Sequence, residues 1–419
     1  MKTLRTVVIP ILIASLPWPS RAADVQVTTS TQNPWYRDYL SDNKGMGDVV
    51  QYLRLSATRI DDEGKFNVYG YGRLLGQFTS GGESRPQLGF PLESDVIGRL
   101  YYLYLDYRDV VKDHLDLRAG RTYVPAAAMT GTVDGLHLDY RNVLALGPVG
   151  LGATAFGGHR ATFDNKGEIG NANDTLWGGS VYLETIRFTR LEASYGRKLT
   201  DGALAQEILA LDLSTTPIQA VNVTGRLKYD AYASRYNEAQ AGVSVAPFAA
   251  LVLRGEYYSS YPTFDQFSFY RFFGVNHFRQ MSVSAEYRLL GDYRLRLRYA
   301  NERFDDTSSA DVLETGVSAH PLKALTVNLS YEARSGFAGR LGGIRASAAY
   351  RIQRATLLAG VDYDDFRRED ARDGSAKKYY AGLSYDFTRK LSATARLENN
   401  INFYSNNLFQ GFLAFNVNL

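Results

Sequence analysis

Stretch after stretch of this chain alternates apolar and polar residues with a period of two, and no apolar run beyond the N-terminal segment is long enough for a membrane helix. A helix needs about 20 consecutive apolar residues to cross a bilayer, whereas a tilted strand needs only about 10. In Lys378–Phe387, Tyr379, Ala381, Leu383, Tyr385 and Phe387 fall on one side, with Tyr380, Gly382, Ser384 and Asp386 on the other. Thr388-Arg389-Lys390 is short enough for a tight hairpin. Beyond it Leu391, Ala393, Ala395 and Leu397 alternate with Ser392, Thr394, Arg396 and Glu398. The segments around Val221–Asp230, Met281–Arg288 and Leu325–Glu332 repeat the pattern. A soluble sheet core would be richer in Ile, Val, Phe and Trp, and its strands would be nearer ~5–6 residues long. Here the apolar sides carry Ala, Gly, Leu and Tyr, the polar sides are densely charged, and the runs reach roughly 10–13 residues. The predicted fold is all-β: a transmembrane antiparallel up-and-down β-barrel over residues 46–419, with no separate plug domain.

The first residues point to export. Lys2 and Arg5 precede an apolar stretch, Val7–Leu16, and Ser20-Arg21-Ala22 places small residues where a signal peptidase inspects them. Residues 1–22 are therefore expected to be a signal peptide cleaved after Ala22 or Ala23, which sends the chain to the bacterial outer membrane. The chain has no cysteine, so it carries neither a disulfide framework nor a covalent c-type haem. A net charge of +3 without runs of one sign gives no nucleic-acid arm. Tyr is abundant, at 30 residues, and suits both strands and the water–lipid boundary.

From Met46 onward 21 strands can be read, and single-chain bacterial barrels have an even number. Within residues 23–45 a further piece around Val25–Ser30 is expected to cross or to form a small plug; crossing gives about 22 strands, within a range of 18–24. Short turns are expected at Asp61–Gly64, Pro247-Phe248, Leu290–Asp292 and Gln353-Arg354. Longer outer loops are expected at Thr79–Asp95, Arg160–Asn173, Tyr261–Asn276 and Arg368–Ser375. Leu413, Phe415, Val417 and Leu419 alternate up to the last residue, and they resemble the terminal-strand signal by which outer-membrane proteins engage their assembly machinery. Phe is common at the last position of that signal, where this chain has Leu.

Charge on a lipid-facing side costs about 2–4 kcal/mol per Arg or Lys at midplane, so the alternation assigns the charged sides to the interior. The candidate lumen-lining residues are the cations Arg226, Lys228, Arg254, Arg288, Arg294, Arg296, Arg298, Arg334 and Arg396, with the carboxylates Glu256, Glu286, Glu332, Asp362, Asp364 and Glu398. The Arg294, Arg296, Arg298 triplet either attracts anions or pairs with acids on neighbouring strands, and the mixed signs favour pairing. Gly120-Arg121-Thr122-Tyr123 with Asp134-Gly135-Leu136 resembles a pairing found in several porin families. Ala126-Ala127-Ala128 between them is either a small loop folded toward the pore or a plain connection. The five histidines fall in separate segments without zinc-ligand spacing, so no enzyme or metal site is expected.

Two functions fit. One is a porin-like channel passing small hydrophilic solutes through a charged lumen. The other is a wide sheath around a partner. Gln51-Tyr52-Leu53-Arg54, followed by Gly64 to Arg73 (GKFNVYGYGR), resembles the barrel component of bacterial porin–cytochrome conduits. That resemblance implies a multihaem cytochrome inside the barrel, haem held only by that partner, and contacts to it from Tyr69, Tyr71, Tyr102 and Tyr104. In a porin the same tyrosines would narrow the pore.

Overall fold

The computed structural model describes residues 23–38, 44–77, 96–147, 149–164, 167–169, 173–185, 188–261, 277–289, 292–305, 307–337, 339–367, 373–402 and 407–419. The expected signal peptide and the Thr79–Asp95 loop lie outside the described residues, as does the greater part of Tyr261–Asn276 and Arg368–Ser375.

The strands run in chain order from β1 (Asp24–Asp38), β2 (Lys44–Thr58), β3 (Phe66–Gln77) and β4 (Val96–Val111) to β5 (Leu115–Pro125), β6 (Thr130–Leu146) and β7 (Val149–Arg160). A small hairpin, β8 (Thr162–Asp164) and β9 (Gly167–Ile169), occupies the next connection. Then follow β10 (Thr175–Thr185), β11 (Thr189–Thr200), β12 (Ala203–Ile218), β13 (Val221–Asp230), β14 (Arg235–Phe248) and β15 (Leu251–Ser260). The last group is β16 (Phe278–Leu289), β17 (Tyr293–Phe304), β18 (Ser309–Leu322), β19 (Leu325–Gly336), β20 (Gly339–Ile352), β21 (Ala355–Arg367), β22 (Asp373–Asp386), β23 (Leu391–Ile401) and β24 (Leu408–Asn418).

All but the small hairpin form one antiparallel sheet of 22 strands in which each strand pairs with its sequence neighbours. β1 pairs with both β2 and β24, so the sheet closes on itself. At the seam Val27 and Leu419 exchange two backbone hydrogen bonds, of 3.2 and 2.8 Å. Closure leaves no unpaired edge, the condition a sheet must meet in lipid. Residues 24–38 thus form the first wall strand.

Its apolar side explains why β1 is faint in the sequence. Thr29 and Thr31 stand where other strands carry Leu or Tyr, and Gln51 of β2 answers both. Thr31 donates to the Gln51 amide oxygen at 2.5 Å, and the Gln51 amide donates to Thr29. Each polar group is satisfied by a neighbour on the same side, which removes the cost of leaving it bare.

The connections at one end are short, and the start of β1 and the last residue, Leu419, lie at the same end. In the β2–β3 turn Gly64 adopts φ +72, and Phe66 donates its N–H to the Asp61 carboxylate at 2.8 Å. That backbone bond holds the Asp61 carboxyl below its ordinary pKa. Three strands reach this end through a proline at their penultimate residue: Pro217 in β12, Pro247 in β14 and Pro321 in β18. The register slips at each, before Ile218↔Val221, Phe248↔Leu251 and Leu322↔Leu325. Proline has no N–H for the ladder, and a slip is how a strand accommodates one. Pro247-Phe248 therefore belongs to β14, and the turn itself is 249–250.

Candidate functional site

Registered pairing puts directly opposed residues on one side of the wall, which separates two faces. Leu297, Leu313, Leu329, Tyr331, Ile344, Leu357, Tyr363 and Leu383 lie on the first and are all more than a third exposed. The sequence-assigned charges lie on the other, where most of them meet laterally. Arg294 and Arg296 both reach Glu286, at 3.2 and 3.5 Å, and Arg298 reaches Glu314 at 2.6 Å. Arg226 bonds Asp212 at 2.6 Å, and Lys228 bonds Glu238 at 3.0 Å. Arg334 meets Glu302 at 2.7 Å, while Glu332 and Asp364 share Arg345 at 3.1 and 3.6 Å. Lys378 holds Asp362 at 2.5 Å, and Arg396 pairs with Glu398 at 3.1 Å. The arginine triplet is thus a brace between β16, β17 and β18. Each such half-exposed pair contributes only about 0–1 kcal/mol, so the network's main effect is to hold register and keep the face wet. Arg254, Glu256 and Arg288 are exposed and stand apart from these pairs.

A different chemistry covers β2 to β4. Tyr52 stacks on Tyr71 with centroids 6.1 Å apart, and Tyr71 also meets Tyr101 at 5.1 Å and Tyr102 at 5.7 Å. Tyr104 lies 5.3 Å from Tyr69 and 5.7 Å from Tyr102. Strict alternation would send Tyr101 and Tyr102 to opposite sides. The register slips between Tyr71 and Gly72, where β4 carries one extra residue, and both rings reach the polar face. Arg54 lies over the Tyr71 ring at 5.2 Å, and Arg73 is registered against Tyr52. Neither guanidinium meets a carboxylate among the described residues, and the buried Nε of Arg73 has no hydrogen-bond partner there. The sequence singled out Tyr69, Tyr71, Tyr102 and Tyr104 as contacts, whereas Arg54 and Arg73 stood there only as members of a motif, since a lone Arg in a strand resembles any other.

The Gly120–Leu136 motif builds the third feature. Arg121 grips Asp134 with two bonds, of 2.7 and 2.5 Å, and donates to the Leu100 carbonyl at 3.1 Å. Gly120 at φ +119, Gly135 and Gly158 are registered side by side across β5, β6 and β7. A Cβ on Gly135 would run into the Gly157 carbonyl and sit 2.7 Å from the Gly158 Cα. With the fork pinning β5 to β6, residues 126–129 fold back over the polar face. Ala126, Ala128 and Met129 bury against Val133, Phe156, Leu176, Ile208 and Ala210, and the Ala128 N–H donates to Ser194 at 3.0 Å. Gly196 lies directly beneath Met129, where a Cβ would come within 2.6 Å of that side chain. The loop is therefore a strap lying on the wall, the first of the two conformations the sequence left open.

Among the described residues no group of three or more His, Asp or Glu could hold a metal ion.

No protein-family model matches the sequence, and no curated protein matches it. Among solved structures the chain is similar to a BenF-like porin from Pseudomonas fluorescens Pf-5, with 13% identity over 94% of this chain and 98% of that one, at a TM-score of 0.49. It is also similar to Acinetobacter baumannii OccAB4, with 11% identity over 96% and 100% and a TM-score of 0.48. A third is the Pseudomonas aeruginosa outer membrane protein OpdK, with 12% identity over 94% and 99% and a TM-score of 0.47.

Proposed function

We propose that this chain is an outer-membrane channel whose polar face lines a water-filled lumen for small hydrophilic solutes, with its apolar face against lipid. The separation of the two faces around a closed barrel carries this reading. Lateral ion pairs satisfy the wall's charges without filling the interior, and carboxylates and guanidiniums left half exposed need water. The strap narrows one side of the lumen. Across β2–β4, Arg54 and Arg73 beside the tyrosines favour anions, and planar rings suit stacking. Replacing both by Gln is expected to reduce the chloride-to-potassium permeability ratio about twofold, read from the reversal potential in a salt gradient. An unchanged ratio would remove the selective role. Within the same proposal Leu413, Phe415, Val417 and Leu419 serve as the assembly signal and residues 1–22 as the cleaved leader.

A second reading draws on the width. Twenty-two strands about 4.8 Å apart and tilted about 40° enclose a backbone cylinder roughly 40 Å across, and barrels of that strand number are generally plugged. Among the described residues the strap and the small β8–β9 hairpin leave the 22-stranded wall, and a protein such as a multihaem cytochrome has room to enter. A visible spectrum of the protein drawn from its native membrane in mild detergent separates the two. A colourless barrel supports the channel. A haem band in fixed ratio supports the sheath, since this chain has no cysteine to carry haem covalently.

A further inference from the structure

Two pairs of arginines face one another across neighbouring strands on the apolar side: Arg279 opposite Arg303, and Arg340 opposite Arg367. Like charges in direct opposition destabilise a sheet, and charge on this side is costly at midplane. Their level resolves the second cost. Arg303 stands ten residues above Tyr293, at the short-turn end of β17, and ten residues of tilted strand climb about 25 Å, the height of the apolar band. Both pairs therefore reach the far rim, at the end opposite the short turns, where lipid headgroups begin.

The first cost remains. Arg279 and Arg340 are exposed and have no carboxylate partner among the described residues. Arg303 donates to the Asn301 side chain at 3.1 Å, and Arg367 meets Asp373 at 3.4 Å, with both partners about two-thirds exposed. The nearby acids are engaged elsewhere. Asp311 accepts from Tyr299 and Asn301, and Asp305 holds His277 at 3.3 Å. Ser259, registered against Arg279, shares a 2.7 Å bond with the His277 ring, so a hydroxyl stands beside the first pair. Ser259, His277 and Asp305 follow the order of a catalytic triad. Ser259, however, sits within the ladder between Ala239 and Arg279, where the N–H groups around it among the described residues serve neighbouring strands and offer no oxyanion site.

We propose that the two arginine pairs bind phosphate groups of an anionic lipid in the outer leaflet. Guanidiniums fork onto phosphate, and two pairs whose nearest members, Arg303 and Arg340, are three strands apart, about 14 Å, suit a headgroup bearing two phosphates or two neighbouring lipids. The proposal rests on the assignment of the apolar face to lipid. The test uses the purified barrel in phosphatidylcholine vesicles and reads its unfolding midpoint by heat modifiability. Diphosphorylated lipid A is expected to raise the midpoint by about 5 °C, the effect of a ligand well above its dissociation constant. Arg279→Gln with Arg340→Gln should lose most of that shift, while its midpoint in plain vesicles stays at or slightly above the wild-type value because the opposed charges are relieved. Dephosphorylated lipid A giving the same shift, or the double variant retaining it, would overturn the proposal. Inorganic phosphate reproducing the shift would overturn the lipid source. Failure of the wild-type protein to enter vesicles at all would instead bring down the assignment of the faces.

Discussion

Leu297→Arg is expected to destabilise the barrel by about 2–4 kcal/mol, whereas Arg296→Leu, one residue away, should leave assembly intact. Leu297 lies mid-strand in β17, half exposed on the apolar face, registered against Ala285 and Thr315. An arginine there meets hydrocarbon with no acid beside it. Arg296 faces the other way, and its loss frees one side of Glu286, which Arg294 still holds at 3.2 Å. The measurement is the denaturant midpoint of each variant refolded into vesicles. Equal effects at the two positions would mean that the faces are not divided between lipid and water.

The second large effect is steric. Gly135→Ala should abolish the folded, heat-modifiable form, because the new Cβ meets backbone of β7 rather than a side chain that could turn aside. Gly225→Ala is the control. There the nearest atoms to a Cβ are Leu213 Cβ at 3.8 Å and the Gln240 carbonyl oxygen at 3.9 Å, ordinary contact distances. That substitution should be neutral or slightly stabilising, as it narrows the unfolded ensemble. A folded Gly135→Ala barrel would show that β6 and β7 are not pressed together at this level, and the strap would lose its floor.

Much of this architecture is legible in the chain because lipid on one side and water on the other impose alternation on every strand. The count of 22 strands follows from the 21 read from Met46 onward and from the even number of single-chain barrels. What was faint has particular causes. β1 presents Thr29 and Thr31 to the apolar side, where cross-strand hydrogen bonds to Gln51 replace hydrophobicity and weaken the pattern. The slip at Tyr101 breaks the period-two rule, so the tyrosine wall is one ring larger than alternation allows. Which arginines are paired depends on neighbours in space. Arg298 meets Glu314 at 2.6 Å, whereas Arg54 lies over a ring at 5.2 Å, and nothing local in the sequence separates the two. The Arg121–Asp134 fork was visible as a motif, but its part in bending the chain into a strap needs the three registered glycines.

The most direct test of the whole account is the conductance of the purified barrel in a planar bilayer. A wide lumen lined by a wet, braced polar face should give stepwise, ohmic, long-lived openings larger than those of porins with fewer strands in the same salt. A membrane that stays silent although folded protein has inserted would contradict it.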